Sequence, residues 1–183
     1  MRFPPHHRHF FFFSLSSISA RSKRVMGLKN VDVYALGLYV DPAAVKKAAA
    51  GRTAVDAGVL EAVMSDAVPK TLVVRVTTGL MTSARFVASV RETLAPALAR
   101  AGGDPAALDA FEALFAGAEL KKGTSLAFSS LAEGGLAVQA GGVELGRVTA
   151  TAFAPAFFSL YLGVEPVSAD GKAAIVEGLA QLI

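Results

Sequence analysis

Cysteine is absent from this 183-residue sequence, and its three histidines all lie within the first nine residues. The lack of cysteine excludes disulfides, thiol catalysis and cysteine-ligated zinc. Beyond residue 9 the chain also has no histidine to act as a base or as a metal ligand. We interpret His6, His7 and His9 as an accident of composition near the terminus, and we expect no metal and no cofactor.

Charge is also scarce, because charged residues make up only 18% of the chain and the net charge is +3. Much of the basic charge lies at the front, before the first acidic residue, Asp32. A nucleic-acid-binding face would need basic clusters interleaved with aromatic residues on a folded surface. The sequence contains no such clusters, so we expect no nucleic-acid partner.

Hydrophobic residues make up 53% of the chain, yet no apolar run reaches the 18 residues of a membrane-spanning helix. We therefore expect no transmembrane segment. The length suits one domain. Within one domain, the apolar surplus fits either a large core or a lipid-sized cavity.

The first 20 residues do not resemble a folded domain, because they contain Arg, Ser, Pro and a run of Phe but no acid. We expect residues 1–20 to be a leader, with no strand partner for the run Phe10 to Phe13. Two targeting interpretations compete: a plastid transit peptide, and a secretory signal cleaved near Ala20. A third is that the leader is a non-native start of a truncated or alternatively spliced chain.

Hydrophobic periodicity and turn residues predict an α+β domain over residues 21–183. Strands cluster as antiparallel hairpins and helices come in blocks, so we expect an antiparallel sheet with helices layered on one face. The predicted strands are one that ends at Val25-Met26 and others over 31–40, 71–78, 124–129, 136–140 and 143–149. The predicted helices are at 42–50, 54–64, 82–100, 153–162 and 168–182, with another that opens at Asp104-Pro105.

The hairpin at residues 21–41 carries the most informative pattern. If Arg21 lies opposite Leu36, then Arg21 and Tyr34 become diagonal neighbours on one face, about 7–8 Å apart. A guanidinium and a phenol aimed at one point would form a receptor for a carboxylate or a phenolate. A slip of one residue would send the two side chains to opposite faces, so the pairing depends on the register.

Several blocks of this sequence, in order, resemble the chalcone isomerase family, and most of all its plant fatty-acid-binding branch. The blocks are Arg21, Lys23, Gly27-Leu28-Lys29, Val33 to Tyr39, Leu72 to Val76, Lys122-Gly123-Thr124 and Tyr161 to Ser168. Relatives carry a further strand and a glycine-rich segment before the Arg. We expect both to be missing here.

The resemblance implies a non-catalytic fatty-acid-binding protein that supports fatty-acid metabolism. Arg21 and Tyr34 match the carboxylate-binding Arg and Tyr of that branch. Phe86 stands where the family's enzymes have a catalytic Tyr, Thr93 where they have an Asn, and Thr151 near another polar position of their site. These five residues are the predicted ligand-binding set. The walls of an apolar slot are expected from Leu72, Val74, Val76, Phe86, Val90 and Leu94.

Two alternatives remain open at this stage. The chain could be a chalcone–flavanone isomerase, an intramolecular lyase of flavonoid biosynthesis, or a chalcone isomerase-like protein that binds a flavonoid or polyketide without turnover. The missing hydroxyl of Phe86 and the missing amide at Thr93 argue against the enzyme. We expect a fatty-acid ligand, a monomer or weak oligomer, and a location in the plastid stroma. Secretion or a cytoplasmic location would follow if the leader is a signal or is non-native.

Overall fold

The computed structural model describes residues 9–13, 34–132 and 134–183, the first of these ranges by its backbone alone. In these ranges six strands form one antiparallel sheet, in which each strand pairs with the next along the chain. The strands are β1 (His9–Phe13), β2 (Tyr34–Val40), β3 (Lys70–Val76), β4 (Ser125–Ser130), β5 (Leu136–Ala140) and β6 (Val143–Val148). The helices are α1 (Pro42–Ala49), α2 (Ala57–Met64), α3 (Ser83–Arg100), α4 (Ala106–Ala113), α5 (Phe153–Leu162) and α6 (Ala169–Ala180).

One face of the sheet carries the hydrophobic core. Side chains alternate between the two faces of a strand, and on β3 the buried Leu72, Val74 and Val76 alternate with the exposed Arg75. The strand pairings place Leu38 beside Leu72 and Leu72 beside Phe128, so apolar side chains run across the sheet.

The loops and helix ends follow the local chemistry of the sequence. Asp41 directly after β2 caps α1, accepting hydrogen bonds from the backbone N–H groups of Ala43 at 2.8 Å and Ala44 at 3.2 Å. Pro42 then occupies the first turn, where a missing N–H costs nothing. The chain therefore turns sharply from β2 into α1.

Phenylalanine rings fill the space between the sheet and helices α3, α4 and α5. The ring of Phe128 on β4 lies 4.8 Å from that of Phe157 on α5 and 6.0 Å from that of Phe86 on α3, centroid to centroid. Phe111 on α4 also contacts Phe128, at 6.3 Å. Ring pairs at such separations add to the burial energy of the core.

The structure confirms the predicted α+β class and antiparallel sheet, but it corrects one part of that prediction. The first strand is not missing, because His9–Phe13 pairs antiparallel with β2, from His9 opposite Val40 to Phe13 opposite Leu36. The Phe10 to Phe13 run therefore does have a strand partner. Phe is enriched in β-strands, and β2 offers this segment an edge with unpaired backbone groups. The domain boundary at residue 20 and the role of the leader stay predictions.

The predicted strand that ends at Val25-Met26, and the turn that follows it, lie outside the described residues. Within the ranges that the structure covers, no helix is long and apolar enough to cross a bilayer.

Candidate functional site

Tyr34 is the first residue of β2 and lies opposite Val76, the last residue of β3. Alternation along β2 puts its side chain on the same face as the buried Leu36 and Leu38. It is half-buried and packs against the edge of the core. Tyr34 therefore lies at the boundary between the apolar interior and the surface, at one end of the sheet.

Tyr161 lies on the last turn of α5, in the core cluster against which Tyr34 packs. Its side chain is only 7% exposed and its ring contacts that of Phe157, with 5.8 Å between the centroids. No residue that the structure describes forms a hydrogen bond with the phenol of Tyr34 or of Tyr161. Because buried polar groups in proteins are rarely unpaired, the buried phenol of Tyr161 marks this region as a candidate binding site.

Both phenols keep their protons through the physiological range. Burial raises the pKa of Tyr34 to about 12. Burial raises the pKa of Tyr161 further, and the nearby Tyr34 adds to that rise. Each hydroxyl is therefore a hydrogen-bond donor, and together they suit an acceptor oxygen rather than a cation.

Arg21, the predicted partner of Tyr34, lies outside the described residues. The register that would bring the two together is wrong as drawn from the sequence, because Leu36 has Phe13 on one side and Val74 on the other. Both edges of β2 are occupied by other strands at Leu36. The role of Arg21 as a ligand contact stays a prediction.

Phe86 is placed in the interior, as predicted. It is 6% exposed, on the inner face of α3, and its ring contacts those of Phe115 and Phe128. The other predicted slot walls, on β3 and α3, are buried around it: Leu72, Val74, Val76, Val90 and Leu94. The set therefore forms a continuous apolar surface, and whether a ligand contacts it stays a prediction.

The structure does not bring Thr93 and Thr151 to this surface. Thr93 is exposed, and its hydroxyl donates to the carbonyl of Ser89 at 3.0 Å and of Val90 at 3.1 Å, in its own helix. Thr151 is exposed in the turn before α5. Both residues are thus exposed, and their predicted role as ligand contacts stays a prediction.

Lys70 is a buried cation that is not among the predicted site residues. It is fully buried at the start of β3, and its Nζ donates to the carbonyls of Ser65 at 2.6 Å and Val68 at 3.1 Å. The Nζ also lies 4.8 Å from the centroid of the Phe158 ring. Loss of water around the amine lowers the pKa of Lys70 to about 8, and the charge of Asp66 partly opposes this.

The sequence holds a signal for each of the two missed residues. The alternation Leu72, Val74, Val76 extends back to Lys70, so the strand period alone places this Lys on the core face. Tyr161 is the one residue with a phenol in α5, a helix that is apolar nearly all round and is therefore expected to be buried. Within the described ranges no cluster of three His, Asp or Glu residues is arranged to hold a metal ion.

Comparisons with known proteins agree with this architecture. The family model described as chalcone isomerase-like matches residues 14–176. Among solved structures, the chain is similar to the fatty-acid-binding protein AtFAP1 of Arabidopsis thaliana, with a TM-score of 0.76 and 21% sequence identity, over 98% of this chain and 91% of that one. No curated protein matches the sequence. At this identity the structural likeness shows a common fold, so the predicted open-faced arrangement of sheet and helices is confirmed.

Proposed function

Because this chain belongs to the chalcone isomerase-like family, whose model spans residues 14–176, we propose that it is a non-catalytic fatty-acid-binding protein. The proposed ligand is a long-chain fatty acid with its carboxylate at Tyr34 and Arg21 and its tail against the apolar interior. The similar fold of a protein that is itself named for fatty-acid binding supports this choice of ligand.

The observation that carries the proposal is the pairing of an unsatisfied donor with an apolar interior. Tyr34 has no hydrogen-bond partner among the described residues, and it borders a surface of buried side chains on β3 and α3. A carboxylate needs such donors, since an unpaired buried carboxylate is very costly. A tail needs the apolar side chains, and each methylene moved out of water contributes about 0.8 kcal/mol.

Arg21 supplies the charge in this proposal. Its assignment rests on the family resemblance, in which this position matches the carboxylate-binding Arg. A guanidinium suits the role because its planar fork can donate two parallel hydrogen bonds to one carboxylate and stays charged at every working pH.

The absence of turnover is proposed from two positions on α3. Phe86 is buried where the family's enzymes carry a Tyr, and it has no hydroxyl to stabilise developing negative charge on a carbonyl. Thr93 lies on the exposed side of the helix and bonds to its own backbone. Removal of one such donor typically costs about 2.7–4 kcal/mol of barrier stabilisation.

We further propose that the protein acts in the plastid stroma and supports fatty-acid metabolism there. The acid-free, Arg- and Ser-containing composition of residues 1–20 supports plastid targeting by this segment, and because β1 lies within it we propose that the segment is retained in the folded protein. Fusion of residues 1–20 to a fluorescent protein is expected to direct it to plastids, and secretion of the fusion would contradict this location.

The binding proposal is tested by calorimetric titration of palmitate. The substitution Arg21→Ala is expected to weaken binding strongly, because it leaves a buried anion without its charge partner. Tyr34→Phe removes one hydrogen bond to a charged group and is expected to cost about 1.5–3 kcal/mol. Arg21→Lys is expected to restore only part of the loss, since an ammonium cannot reproduce the two-pronged geometry.

Arg75→Ala is the matched control, because Arg75 is an exposed guanidinium on the opposite face of β3. It is expected to leave palmitate affinity unchanged. Equal palmitate affinity in the parent and in Arg21→Ala, with folding verified by circular dichroism, would show that Arg21 is not the carboxylate partner.

A further inference from the structure

The phenol of Tyr161 has no assigned role, and its position is energetically unusual. The residue is only 7% exposed, and among the described residues its hydroxyl has no hydrogen-bond partner. A buried donor without a partner forfeits the hydrogen bonds that it makes with water in the unfolded chain. A phenylalanine would fill nearly the same space in α5 without that cost, and three of the helix's ten residues are Phe.

Tyr161 is also next to the one site where a ligand acceptor is expected. Tyr34 packs against the core cluster that contains Tyr161, so the two side chains lie in one region of the interior, and the electrostatic effect of Tyr34 on Tyr161 agrees with this. Tyr34 is half-buried and Tyr161 is buried, so Tyr34 is the outer of the two phenols and Tyr161 the inner one. The two side chains come from different elements, β2 and α5, which hold them in one place without the mobility of a loop.

We propose that Tyr161 is a ligand-binding residue, which donates its phenolic hydrogen to the same fatty-acid carboxylate as Tyr34. This inference rests on the proposed fatty-acid-binding function. A carboxylate has two oxygens with about four acceptor positions, enough to accept hydrogen bonds from two phenols at once. Tyr34 and Tyr161 thus form a two-phenol receptor in which Tyr161 is the inner donor.

The raised pKa values of both phenols are consistent with this role. Burial raises the pKa of Tyr34 to about 12 and that of Tyr161 further, so neither ionises near neutral pH to repel an anion. A carboxylate that accepts hydrogen bonds from both would raise these values again, because ionised phenolates next to it would be unfavourable.

The test is calorimetric titration of palmitate against the parent, Tyr161→Phe and the control Tyr39→Phe. Tyr39 is 6% exposed, and alternation along β2 puts it on the face opposite Tyr34. The control therefore removes a phenolic hydroxyl from another buried tyrosine, which lies outside the receptor. Tyr161→Phe is expected to weaken palmitate binding about ten- to a hundredfold, as for loss of a hydrogen bond to a charged group, and Tyr39→Phe to leave it unchanged.

A second measurement separates a ligand contact from a structural role. Thermal unfolding without ligand is expected to show Tyr161→Phe at least as stable as the parent, because the hydroxyl that it removes has no hydrogen-bond partner among the described residues. The uncharged probe 1-hexadecanol is expected to lose less affinity than palmitate on this substitution.

The outcomes distinguish this inference from the function on which it rests. Equal palmitate affinity in the parent and Tyr161→Phe would overturn the role of Tyr161 and leave the binding function standing. A clear loss of ligand-free stability in Tyr161→Phe would overturn it too, since the hydroxyl would then support the fold. Failure of the parent to bind palmitate would overturn the proposed function and this inference together.

Discussion

Phe86 differs from the Tyr of the family's enzymes by one oxygen atom, the hydroxyl that would donate a hydrogen bond to a substrate carbonyl. Phe86 lies against Phe115 and Phe128, so its ring contributes to the packing of the core. A hydroxyl there would need a partner among these rings or on a ligand. The choice of Phe thus favours a dry apolar surface over a polar catalytic one.

From this residue we predict that the protein does not cyclise naringenin chalcone above the rate in solution. No hydroxyl at position 86 stabilises the developing negative charge on the carbonyl. We also predict that Phe86→Tyr alone does not create activity, because Thr93 remains on the exposed side of α3. The loss of chalcone absorbance is the measurement. Parent turnover within tenfold of an authentic isomerase would refute the assignment as a carrier.

Thr93 matches a site position of the family's enzymes in sequence, yet its side chain is exposed on α3. Phe86 and Thr93 are seven residues apart and so differ by only about 20° around the helix. The buried stripe of α3 also includes Val90 and Leu94, so its centre lies to one side of both residues. The long ring of Phe86 reaches the core from the margin, whereas the shorter Thr93 bonds to its own helix instead.

The bounds of helices and strands were predicted well from the sequence where capping residues, turns or glycines mark the ends of the element. The bounds of β5 and α5 agree with the prediction residue for residue, and α1 begins where Asp41-Pro42 required. These elements are specified by glycine turns, caps and hydrophobic period, all of which act within a few residues.

The strand β1 could not be predicted in the same way. Its partner β2 lies more than twenty residues further along the chain, and a run of four Phe has no alternation that would mark a half-buried strand. The surrounding acid-free composition instead favours a targeting segment. The pairing of β1 is thus a tertiary property, as is the lack of a hydrogen-bond partner for the Tyr161 phenol among the described residues.

Lys70 connects two elements, because it begins β3 and its Nζ donates to the carbonyl of Ser65, the residue that ends α2. Its folded-state pKa of about 8 lies below the 10.5 of an unperturbed lysine. A lysine with a depressed pKa carries a penalty at low pH. That penalty is relieved as the pH rises from about 8 towards 10.5, because the unfolded chain then binds more protons than the folded one.

We therefore predict that the free energy of unfolding of the parent contains a contribution from Lys70 that rises by about 2 kcal/mol between pH 7 and pH 9.5. Lys70→Met keeps a long side chain and removes this contribution. Urea unfolding across that pH range, parent against variant, isolates it. The pH range ends at 9.5 because the buried phenols have the opposite effect on stability. Their pKa values are raised in the folded protein, so they lower the free energy of unfolding above about pH 10.

The same pH dependence in parent and Lys70→Met would contradict the prediction. It would mean that Lys70 titrates alike in the folded and unfolded chains. Lys46→Met is the control, since Lys46 is exposed on α1 and its removal should leave the slope unchanged.

For the whole molecule, the edge of the sheet is supplied by the segment that was predicted to be a leader. Deletion of residues 1–20 removes β1 and leaves β2 with unpaired N–H and C=O groups along one side. Exposed strand edges pair readily with other chains. We predict that the truncated protein unfolds at a lower urea concentration and self-associates, as measured by light scattering after gel filtration.

Deletion of residues 1–8 is the control, because it shortens the leader and keeps β1 intact. This shorter truncation is expected to behave as the full chain does. If removal of residues 1–20 leaves both the urea midpoint and the molecular mass in solution unchanged, then β1 contributes nothing to the fold.

The phenols of Tyr34 and Tyr161 also contribute most of the near-ultraviolet absorption and emission of the protein. The chain has no tryptophan and only three tyrosines, Tyr34, Tyr39 and Tyr161. Two of the three chromophores that dominate its near-ultraviolet absorption and emission therefore lie in the proposed receptor, while Tyr39 faces the other side of β2. A carboxylate hydrogen-bonded to those phenols would alter their excited states directly, so the unmodified protein carries its own optical reporter for its ligand.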